Sequence, residues 1–381
     1  MVPATAPGGP TFEFHSPEAL AHVIRAPGEL GLGRAYVLGL IDVDDIEQAL
    51  EIVDTFKAPK LSPGQLARLG VAVIRACGLV RPPRPPASEL KLTGERHTIG
   101  RDRSAVRYHY DAGNEFFALF LDPSMTYSCA YFRGGAETLE QAQRDKLDLV
   151  AKKLALRAGE RVLDVGCGWG SFAIHAARHY GVEVLGVTLS ERQVQLGRER
   201  AQEAGVGELV ELRVADYRDL SGPSARRFDA ISSVGMVEHV GKERIDLYMR
   251  TLSDLLVPGG RLLNHGIAKL MDFDAKDEGA FSERFVFPDG VPLPLSRIEL
   301  ALERTGLVTR HVEGLAEDYA ETIRYWIASF EDRYDEAVRL AGAERARVWR
   351  VYLRAARQGF LTGWASVYQV LAHKPGAQGQ A

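Results

Sequence analysis

Three glycines at alternate positions follow a short apolar run in the segment RVLDVGCGWGSF. The run predicts a buried strand that ends near Asp164, and Gly166, Gly168 and Gly170 lie where a helix begins. Glycine lets the backbone approach a ligand closely and leaves amide N–H groups directed at it from the helix N-terminus. A glycine turn also serves plain strand-to-helix packing. This motif alone therefore leaves both interpretations open.

The next two predicted strands end in polar residues that help to choose between cofactors. The second strand ends in Thr-Leu-Ser at residues 188–190 and is followed by Gln193. Enzymes that use NAD usually place a single Asp or Glu there for the ribose hydroxyls, so a dehydrogenase is disfavoured. The third strand ends in Asp216 and Tyr217, which suit an adenine amine and its ring face. Together these features resemble the class I S-adenosylmethionine methyltransferases.

Alternating strands and helices must position these residues. The apolar runs RVLDVGC, VEVLGVTLS, LVELRVAD, FDAISSVG and RLLNHGIA are separated by helical segments such as SFAIHAARHYG and ERQVQLGRERAQEAG. This order predicts an α/β fold with a parallel sheet that is covered on both faces. The carboxyl ends of the strands then lie at one edge of the sheet.

The chain ahead of this pattern has a different organisation. SPEALAHVIRA and DVDDIEQALEIVDTF have helical periodicity, with helix starts predicted at Ser16 and at Asp42 or Asp44. The segment RPPRPPASEL is proline-rich and cannot continue a helix. We therefore predict a small, mostly helical N-terminal domain, a linker and a larger domain, over residues 1–80, 81–104 and 105–381.

Composition and charge exclude several classes of protein. The 381 residues carry a net charge of −4, which argues against a nucleic-acid binder. The start, MVPATAPGGPTFEF, lacks the features of a signal peptide, and no apolar run approaches the roughly 20 residues that span a bilayer. We therefore expect a cytoplasmic protein. Cys77, Cys129 and Cys167 are scattered and fit neither a disulfide framework nor a zinc site, so no metal is expected.

Six ordered motifs resemble the cyclopropane-fatty-acyl-phospholipid synthase family. They are HYDAGNEFFALFLDPSMTYSCAYF, VLDVGCGWGS, GVTLS, MVEHVG, FVFPDG and DYAETIRYW, and the resemblance covers about residues 105–374. The family includes mycolic acid cyclopropane synthases and enzymes that branch oleoyl phospholipids. The resemblance implies a class I methyltransferase fold, which is Rossmann-like with a seven-stranded, mostly parallel sheet. It also implies methyl transfer from S-adenosylmethionine to a cis double bond in a lipid acyl chain.

The resemblance further implies a set of site residues. In this family a bound bicarbonate is understood to act as the base, and its ligands correspond to Glu238, His265, Tyr319 and the backbone at Cys129 and Ile267. Each of these residues, taken alone, also has an ordinary structural explanation. With Asp216 added from the strand pattern, the expected cofactor contacts are Tyr127, Ser128, Gly166, Gly168, Thr188, Leu189, Gln193, Asp216, Tyr217 and Gly235.

A long hydrocarbon substrate offers an explanation for the aromatic first motif. NEFFALFL predicts a short helix whose Phe116, Phe117, Phe120 and Leu121 either line an apolar channel or form ordinary core. Attack of the alkene on the electrophilic methyl group leaves a cation on the chain. Aromatic faces stabilise such a cation, and exclusion of water protects it. Loss of a proton to the base then closes the ring.

Two parts of the chain are candidates for peripheral contact with the inner face of the membrane. Arg347, Arg350, Arg354 and Arg357 share one helical face, which is either a basic stripe for anionic headgroups or an ordinary solvated face. The N-terminal helical domain is the other candidate, for lipid contact or for assembly into a homo-oligomer.

Three functions remain in comparison. The first is cyclopropane formation with bicarbonate as the base. The second is the same methyl transfer with the proton lost elsewhere, which gives a methylene- or methyl-branched chain such as 10-methylene stearoyl, a tuberculostearate precursor. The third is a non-catalytic lipid-binding protein, which the intact Glu238, His265 and glycine motifs disfavour. The complete set of bicarbonate ligands favours the first.

Overall fold

The computed structural model describes residues 9–55, 62–77, 83–90, 96–110, 112–222, 225–270, 280–290 and 292–376. In chain order the strands are β1 (Phe12–Phe14), β2 (Ile41–Val43), β3 (Arg161–Val165), β4 (Glu183–Thr188), β5 (Val210–Val214), β6 (Phe228–Val234), β7 (Leu256–Lys269), β8 (Leu293–Pro294), β9 (Val308–Gly314) and β10 (Ala365–His373). The helices are α1 (Glu18–Arg25), α2 (Glu29–Val37), α3 (Ile46–Thr55), α4 (Pro63–Cys77), α5 (Ile99–Tyr110), α6 (Asn114–Ala118), α7 (Leu139–Lys153), α8 (Ser171–Tyr180), α9 (Glu191–Glu203), α10 (Val237–Val240), α11 (Ile245–Leu255), α12 (Ala280–Phe285), α13 (Leu295–Arg304), α14 (Ala316–Asp332), α15 (Tyr334–Ala341) and α16 (Ala343–Leu361).

The chain divides into two compact units. The first comprises residues 1–91, 274–288 and 331–358, and the second comprises residues 92–273, 289–330 and 359–381. The first unit therefore groups the N-terminal segment with two later segments, whereas the sequence-based interpretation treats residues 1–80 as a contiguous domain. The predicted domain bounds stay a proposal.

The larger unit is built on the predicted sheet. Seven strands are ordered β5-β4-β3-β6-β7-β10-β9, and the two-residue β8 pairs with β7. The pairs β5-β4, β4-β3, β3-β6 and β6-β7 are parallel, while β10 is antiparallel to both of its neighbours. The mostly parallel fold is thus confirmed, with β8 as an eighth strand beside the predicted seven. The carboxyl ends of β3 to β7 lie at one edge of the sheet.

Buried side chains on both faces of the sheet hold it between helices. Along β3, Leu163 and Val165 pack on the side of α11 and α13, whereas Val162 packs on the side of α7, α8 and α9. Successive side chains of a strand point to opposite faces, so a strand buried on both faces needs an unbroken apolar run. This is why RVLDV and EVLGVT were recognisable in the sequence, whereas VELRV, at the edge of the sheet, has its first four residues alternately buried and exposed.

The first unit is mostly helical in its N-terminal segment, as predicted. The helix α1 begins two residues after Ser16, whose hydroxyl accepts a hydrogen bond at 3.2 Å from its first N–H group. The predicted starts of α3 at Asp42 and Asp44 are wrong. Asp42 belongs to β2, and Asp45 caps α3 by accepting the N–H of Gln48 at 2.9 Å. A carboxylate directly before the first helical residue is the favoured cap.

The proline-rich segment is anchored where the structure describes it. The carboxylate of Glu89 is fully buried and binds the guanidinium of Arg34 at 2.6 and 2.7 Å. Residues 81, 82 and 91–95 of the predicted linker lie outside the described residues, and its last six residues belong to α5. Residues 83–90 of the linker are thus held by a paired charge.

The arginines of the predicted basic stripe bind partners within the same unit. Arg347 donates to Asp42 at 2.6 Å, and Arg350 and Arg354 both bind Glu331, at 2.6 and 2.9 Å. The remaining member, Arg357, lies 4.0 Å from a carboxylate oxygen of Glu47. Because their charges are already compensated, the structure disfavours this face as a binding surface for anionic headgroups.

Candidate active site

The glycine turn between β3 and α8 depends on its glycines. Gly166, Gly168 and Gly170 have φ angles of 75°, 53° and 79°, which side chains rarely tolerate. A Cβ atom on Gly166 would lie 2.5 Å from Sδ of Met236. The N–H of Gly166 is bonded to the carbonyl of Val187 at 2.9 Å, which ties the turn to β4. At Gly168 a Cβ atom would have no neighbour within 4 Å, so the backbone there is open to a ligand.

Polar side chains meet at the end of β4, as the sequence predicts. The hydroxyl of Thr188 is 2.7 Å from Oε1 of Gln193, and Ser190 caps α9 by accepting the N–H of Gln193 at 3.3 Å. Leu189 lies between them and is half-buried. Burial raises the pKa of Tyr110 to about 12, and a hydrogen bond with Gln193 opposes the rise. Thr188 and Gln193 thus form one hydrogen-bonded unit beside the glycine turn.

The carboxylate predicted to bind adenine already has a partner. Both oxygens of Asp216 accept hydrogen bonds from the guanidinium of Arg218, at 2.7 and 2.6 Å. Arg218 also donates to Asp102 at 2.8 Å. Tyr217 is buried, with its ring edge-to-face against Tyr248 at 4.8 Å. Arg218 was not predicted, and it fixes the orientation of the carboxylate.

Two polar side chains of α7 hold the loop that contains Tyr127 and Ser128. Gln143 donates to the carbonyl of Ser128 at 2.8 Å, and the ammonium of Lys146 donates to its hydroxyl at 2.8 Å. Both are buried, and burial lowers the pKa of Lys146 to about 8. In the sequence they fall within the apolar stripe of α7, between Leu139 and Val150. A polar pair in an apolar stripe was the signal that sequence reasoning missed.

The same loop is tied to the start of α14. The N–H of Ala130 donates to the hydroxyl of Thr322 at 2.9 Å, and Sγ of Cys129 lies 3.6 Å from the carbonyl of Leu315. Burial raises the pKa of the Cys129 thiol well above its usual value, so the thiol stays protonated. A protonated thiol is a poor nucleophile, which is compatible with a role of Cys129 through its backbone. The N–H of Tyr319 is bonded to the same carbonyl of Leu315.

The predicted site residues Glu238 and His265 lie in neighbouring segments, one just after β6 and the other on β7. The N–H of Gly235, which follows β6, donates to the carbonyl of His265 at 2.8 Å. Glu238 lies three residues further on, in α10. Burial raises the pKa of its carboxyl group to about 7, although hydrogen bonds from the N–H groups of Glu238 and Ile267 lower the pKa in part. This carboxyl group changes its charge near neutral pH.

Several buried side-chain atoms on or just after β6 and β7 have no hydrogen-bond partner among the described residues, and two of them belong to predicted site residues. These two are Nε2 of His265 and Oε2 of Glu238. The other ring nitrogen of His265 is 3.1 Å from Nε2 of Gln369. Burial, with the charges of Lys146 and Lys153, lowers the pKa of His265 to about 3, so the imidazole is neutral. Buried polar atoms are nearly always satisfied in folded proteins, so each of these two atoms is a candidate contact for a bound polar group or water.

The predicted short helix is confirmed as α6, and its phenylalanines form core. Phe116, Phe117 and Phe120 are completely buried. Their rings contact one another at centroid distances of 5.8 to 6.1 Å. Further rings extend the cluster: Tyr127 contacts Trp326 at 5.2 Å, and Trp326 contacts the half-buried Tyr319 at 5.9 Å. Aromatic side chains thus connect the predicted cofactor loop with the predicted bicarbonate ligand on α14.

Comparisons with known proteins agree on one family. The sequence model of the mycolic acid cyclopropane synthetase family matches residues 97–370. A probable fatty acid methyltransferase of Mycobacterium tuberculosis is 36% identical over 96% of this chain and 87% of its own length. The cyclopropane-fatty-acyl-phospholipid synthase of Escherichia coli K12 is 32% identical over 90% of this chain and 83% of its own. The crystal structure of mycolic acid cyclopropane synthase CmaA1 with SAH and CTAB matches 71% of this chain and 98% of that chain, with a TM-score of 0.67 and 31% identity.

Proposed function

Because the chain belongs to the mycolic acid cyclopropane synthetase family and is an S-adenosylmethionine-dependent methyltransferase, we propose that it forms cyclopropane rings in phospholipids. It transfers the sulfonium methyl group to a cis double bond of an unsaturated acyl chain and closes the ring there. The observation that carries this proposal concerns two buried polar atoms, on His265 and Glu238, that have no hydrogen-bond partner among the described residues. Ring closure requires a base, and such a pair is suited to hold an anionic one.

The residues at the sheet edge fit the cofactor. S-adenosylmethionine supplies an electrophilic methyl group when it is bound. A Cβ atom on Gly168 would have no neighbour within 4 Å, so the backbone there is open to the amino acid portion of the cofactor. Gly166, Tyr127 and Ser128 are further proposed contacts of the cofactor. Oδ1 of Asp216 is saturated by Arg218, and Oδ2 keeps one lone pair for the adenine amine. The remaining proposed contacts are Thr188, Leu189, Gln193, Tyr217 and Gly235.

The residues around the unpartnered atoms fit bicarbonate. Bicarbonate supplies the base when it is bound, so that no side-chain carboxylate has to lie where it could attack the cation and form a covalent bond. A carboxyl group with a pKa of about 7, that of Glu238, both donates and accepts hydrogen bonds near neutral pH. The proposed further contacts are the hydroxyl of Tyr319 and the backbone at Cys129 and Ile267. The buried Nε2 of His265 completes the set.

Aromatic side chains suit the cation that methyl transfer leaves on the acyl chain. The rings of Tyr127, Trp326 and Tyr319 are contiguous and lie between the cofactor loop and α14. The negative face of an aromatic ring attracts a cation, by up to about 2 kcal/mol once water is excluded. The fully buried Phe116, Phe117 and Phe120 pack behind this cluster and keep water out. These rings would let the cation persist until the proton is lost.

We expect the protein to add one CH2 unit to oleoyl phospholipid in vesicles supplied with S-adenosylmethionine. Mass spectrometry of the recovered lipid measures the gain, and proton NMR identifies upfield cyclopropane protons. Vesicles of fully saturated phospholipid are the control and should gain nothing. No gain with the oleoyl lipid would remove the acyl-chain assignment and leave a methyltransferase for another substrate.

The alternative product is a methylene- or methyl-branched chain. It is favoured by a relative that covers 96% of the chain and is named a probable fatty acid methyltransferase. Both reactions begin with the same cation and differ in which proton is lost. In the same experiment, a gain of one CH2 with vinylidene protons and no cyclopropane protons would support this alternative.

We propose that α4 makes the contact with the membrane that holds the substrate. None of the helices in the described part of the chain is long and apolar enough to cross a bilayer. On α4, Leu66, Leu69, Val71 and Ile74 are each 45% to 55% exposed, although they are apolar. Leu66, Leu69 and Ile74 share one face of the helix. An amphipathic helix with an uncovered apolar face is suited to lie in the interface of a bilayer.

Replacing Leu66 and Leu69 together by Asp should lower binding to phospholipid vesicles about tenfold or more. Each leucine loses the gain from burying its apolar surface, and each new charge disfavours insertion. Cosedimentation measures the bound fraction, and turnover of detergent-dispersed lipid should stay unchanged. The matched control is the pair Leu247→Asp and Leu300→Asp, at leucines 43% and 40% exposed on α11 and α13. Equal loss of binding in both pairs would contradict the role of α4.

A further inference from the structure

A row of three polar residues crosses the antiparallel part of the sheet. His265 on β7 lies directly opposite Gln369 on β10, and Gln369 lies directly opposite Glu313 on β9. Directly opposed residues on neighbouring strands project to the same face and contact one another. Gln369 is completely buried and His265 is 2% exposed. The row therefore leads from the partly exposed Glu313 to the buried imidazole.

Lys153, the last residue of α7, orients the amide in this row. Its ammonium donates to a carboxylate oxygen of Glu313 and to Oε1 of Gln369 at 2.6 Å. An ammonium group has donors only, so the atom of Gln369 that faces it must be the amide oxygen. The amide nitrogen then faces Nδ1 of His265, at 3.1 Å. Since an amide NH2 group only donates, Nδ1 is the acceptor.

The direction of these bonds determines where the imidazole carries its proton. In the neutral ring one nitrogen is a donor and the other an acceptor. With Nδ1 as the acceptor, Nε2 of His265 carries the hydrogen. This is the buried atom that has no partner among the described residues. The ring thus directs a hydrogen-bond donor towards the proposed site of the anionic base.

We propose that Gln369, Lys153 and Glu313 are positioning residues that hold His265 in the Nε2–H tautomer, so that it binds the anionic base as a donor. The other tautomer would direct a lone pair at that anion and repel it. Lys153 holds the amide in the one orientation that selects the tautomer, and Glu313 holds Lys153. The identity of the anion rests on the proposed function, whereas the tautomer follows from the hydrogen bonds alone.

The substitution Gln369→Glu tests this directly, because it replaces a donor by an acceptor of the same shape. One carboxylate oxygen accepts from Lys153, and the other then accepts from His265, so Nδ1 should gain the proton. Long-range proton–nitrogen NMR of the ligand-free protein with labelled histidine reports the tautomer. The signals of His265 are those missing in His265→Gln. A wild-type ring protonated on Nδ1, or an unchanged tautomer in Gln369→Glu, would overturn the proposal.

Turnover gives a second readout that a merely structural role would not change. In Gln369→Glu the bicarbonate concentration for half-maximal activity should rise at least about tenfold, while S-adenosylmethionine binding by calorimetry stays unchanged. The matched control is Gln48→Glu on the exposed face of α3, which should alter neither. If wild-type activity depends on bicarbonate and Gln369→Glu needs the same bicarbonate concentration for half-maximal activity, the proposal is also overturned.

The two proposals fail in different ways. In one outcome, His265 carries its proton on Nε2 in the wild type and on Nδ1 in Gln369→Glu, but turnover does not depend on bicarbonate. This outcome supports the positioning role and refutes bicarbonate as the base. A bicarbonate-dependent enzyme whose His265 is protonated on Nδ1 leaves the proposed function standing and refutes the positioning role.

Discussion

Glu238→Gln should lower kcat about a thousandfold, which is within the usual range for a group that takes part in proton transfer. Glutamine keeps the shape of the side chain and cannot ionise. The carboxyl group of Glu238 is buried, and its Oε2 has no partner among the described residues. The loss should appear in kcat, because a group that takes part in proton transfer acts after the substrates have bound. The affinity for S-adenosylmethionine should stay within about twofold of the wild type. Steady-state turnover and calorimetry measure the two quantities.

The pH dependence of the same variant separates a chemical role from a structural one. The wild-type kcat should rise with pH through about 7, as Glu238 loses its proton, and the variant should lack this step. Stability changes in the opposite sense. The folded protein holds the proton between pH 4.5 and about 7 and the unfolded chain does not, so the wild type loses stability as the pH rises through this range. Above it, the variant avoids a burial cost of up to about 3 kcal/mol.

A matched control lies five residues away. Glu243 is exposed, and Glu243→Gln should leave kcat, its pH profile and the unfolding free energy unchanged. If Glu238→Gln instead kept more than a tenth of the wild-type kcat, Glu238 would not belong to the machinery that moves the proton. Bicarbonate would then have to act as the base without help from Glu238.

Local patterns in the sequence were sufficient for the parallel half of the fold. Strands buried on both faces require unbroken apolar runs, and those runs stand out between amphipathic helices. The turn after β3 was equally visible, because Gly166, Gly168 and Gly170 all adopt positive φ angles that few other residues allow. The polar strand ends followed from the topology, since parallel strands place their carboxyl ends at one edge.

The supporting residues were not predictable from local patterns. Gln369 meets His265 only because β10 pairs with β7 in one register, and 104 positions separate them in the chain. A shift of one residue would turn Gln369 to the other face of the sheet. In the same way, the spacing of the arginines on α16 identified a shared face, but not the carboxylate of Glu331 that binds two of them. Partners brought by tertiary structure decide what a polar residue does.

Gly266→Ala should lower kcat about a hundredfold and destabilise the protein by about 1–3 kcal/mol. A Cβ atom at this position on β7 would lie 2.3 Å from Cγ1 of Val237 and 3.1 Å from Oε2 of Glu238. The first distance is a clash with a branched side chain that has little freedom to turn away, so we expect α10 to shift and Glu238 to move with it. Turnover measures the first effect and denaturant unfolding the second.

Two further variants separate displacement of Glu238 from general damage. Gly100→Ala on α5 adds a Cβ atom with no neighbour within 4 Å, so activity should be unchanged and stability equal or higher by up to about 1 kcal/mol. Adding Val237→Ala to Gly266→Ala removes the atom that clashes, so α10 can return and kcat should recover at least about tenfold. The recovery is informative because Val237→Ala alone creates a cavity and lowers stability. A double variant that stays as slow as Gly266→Ala would mean that Gly266 acts through something other than the position of Glu238.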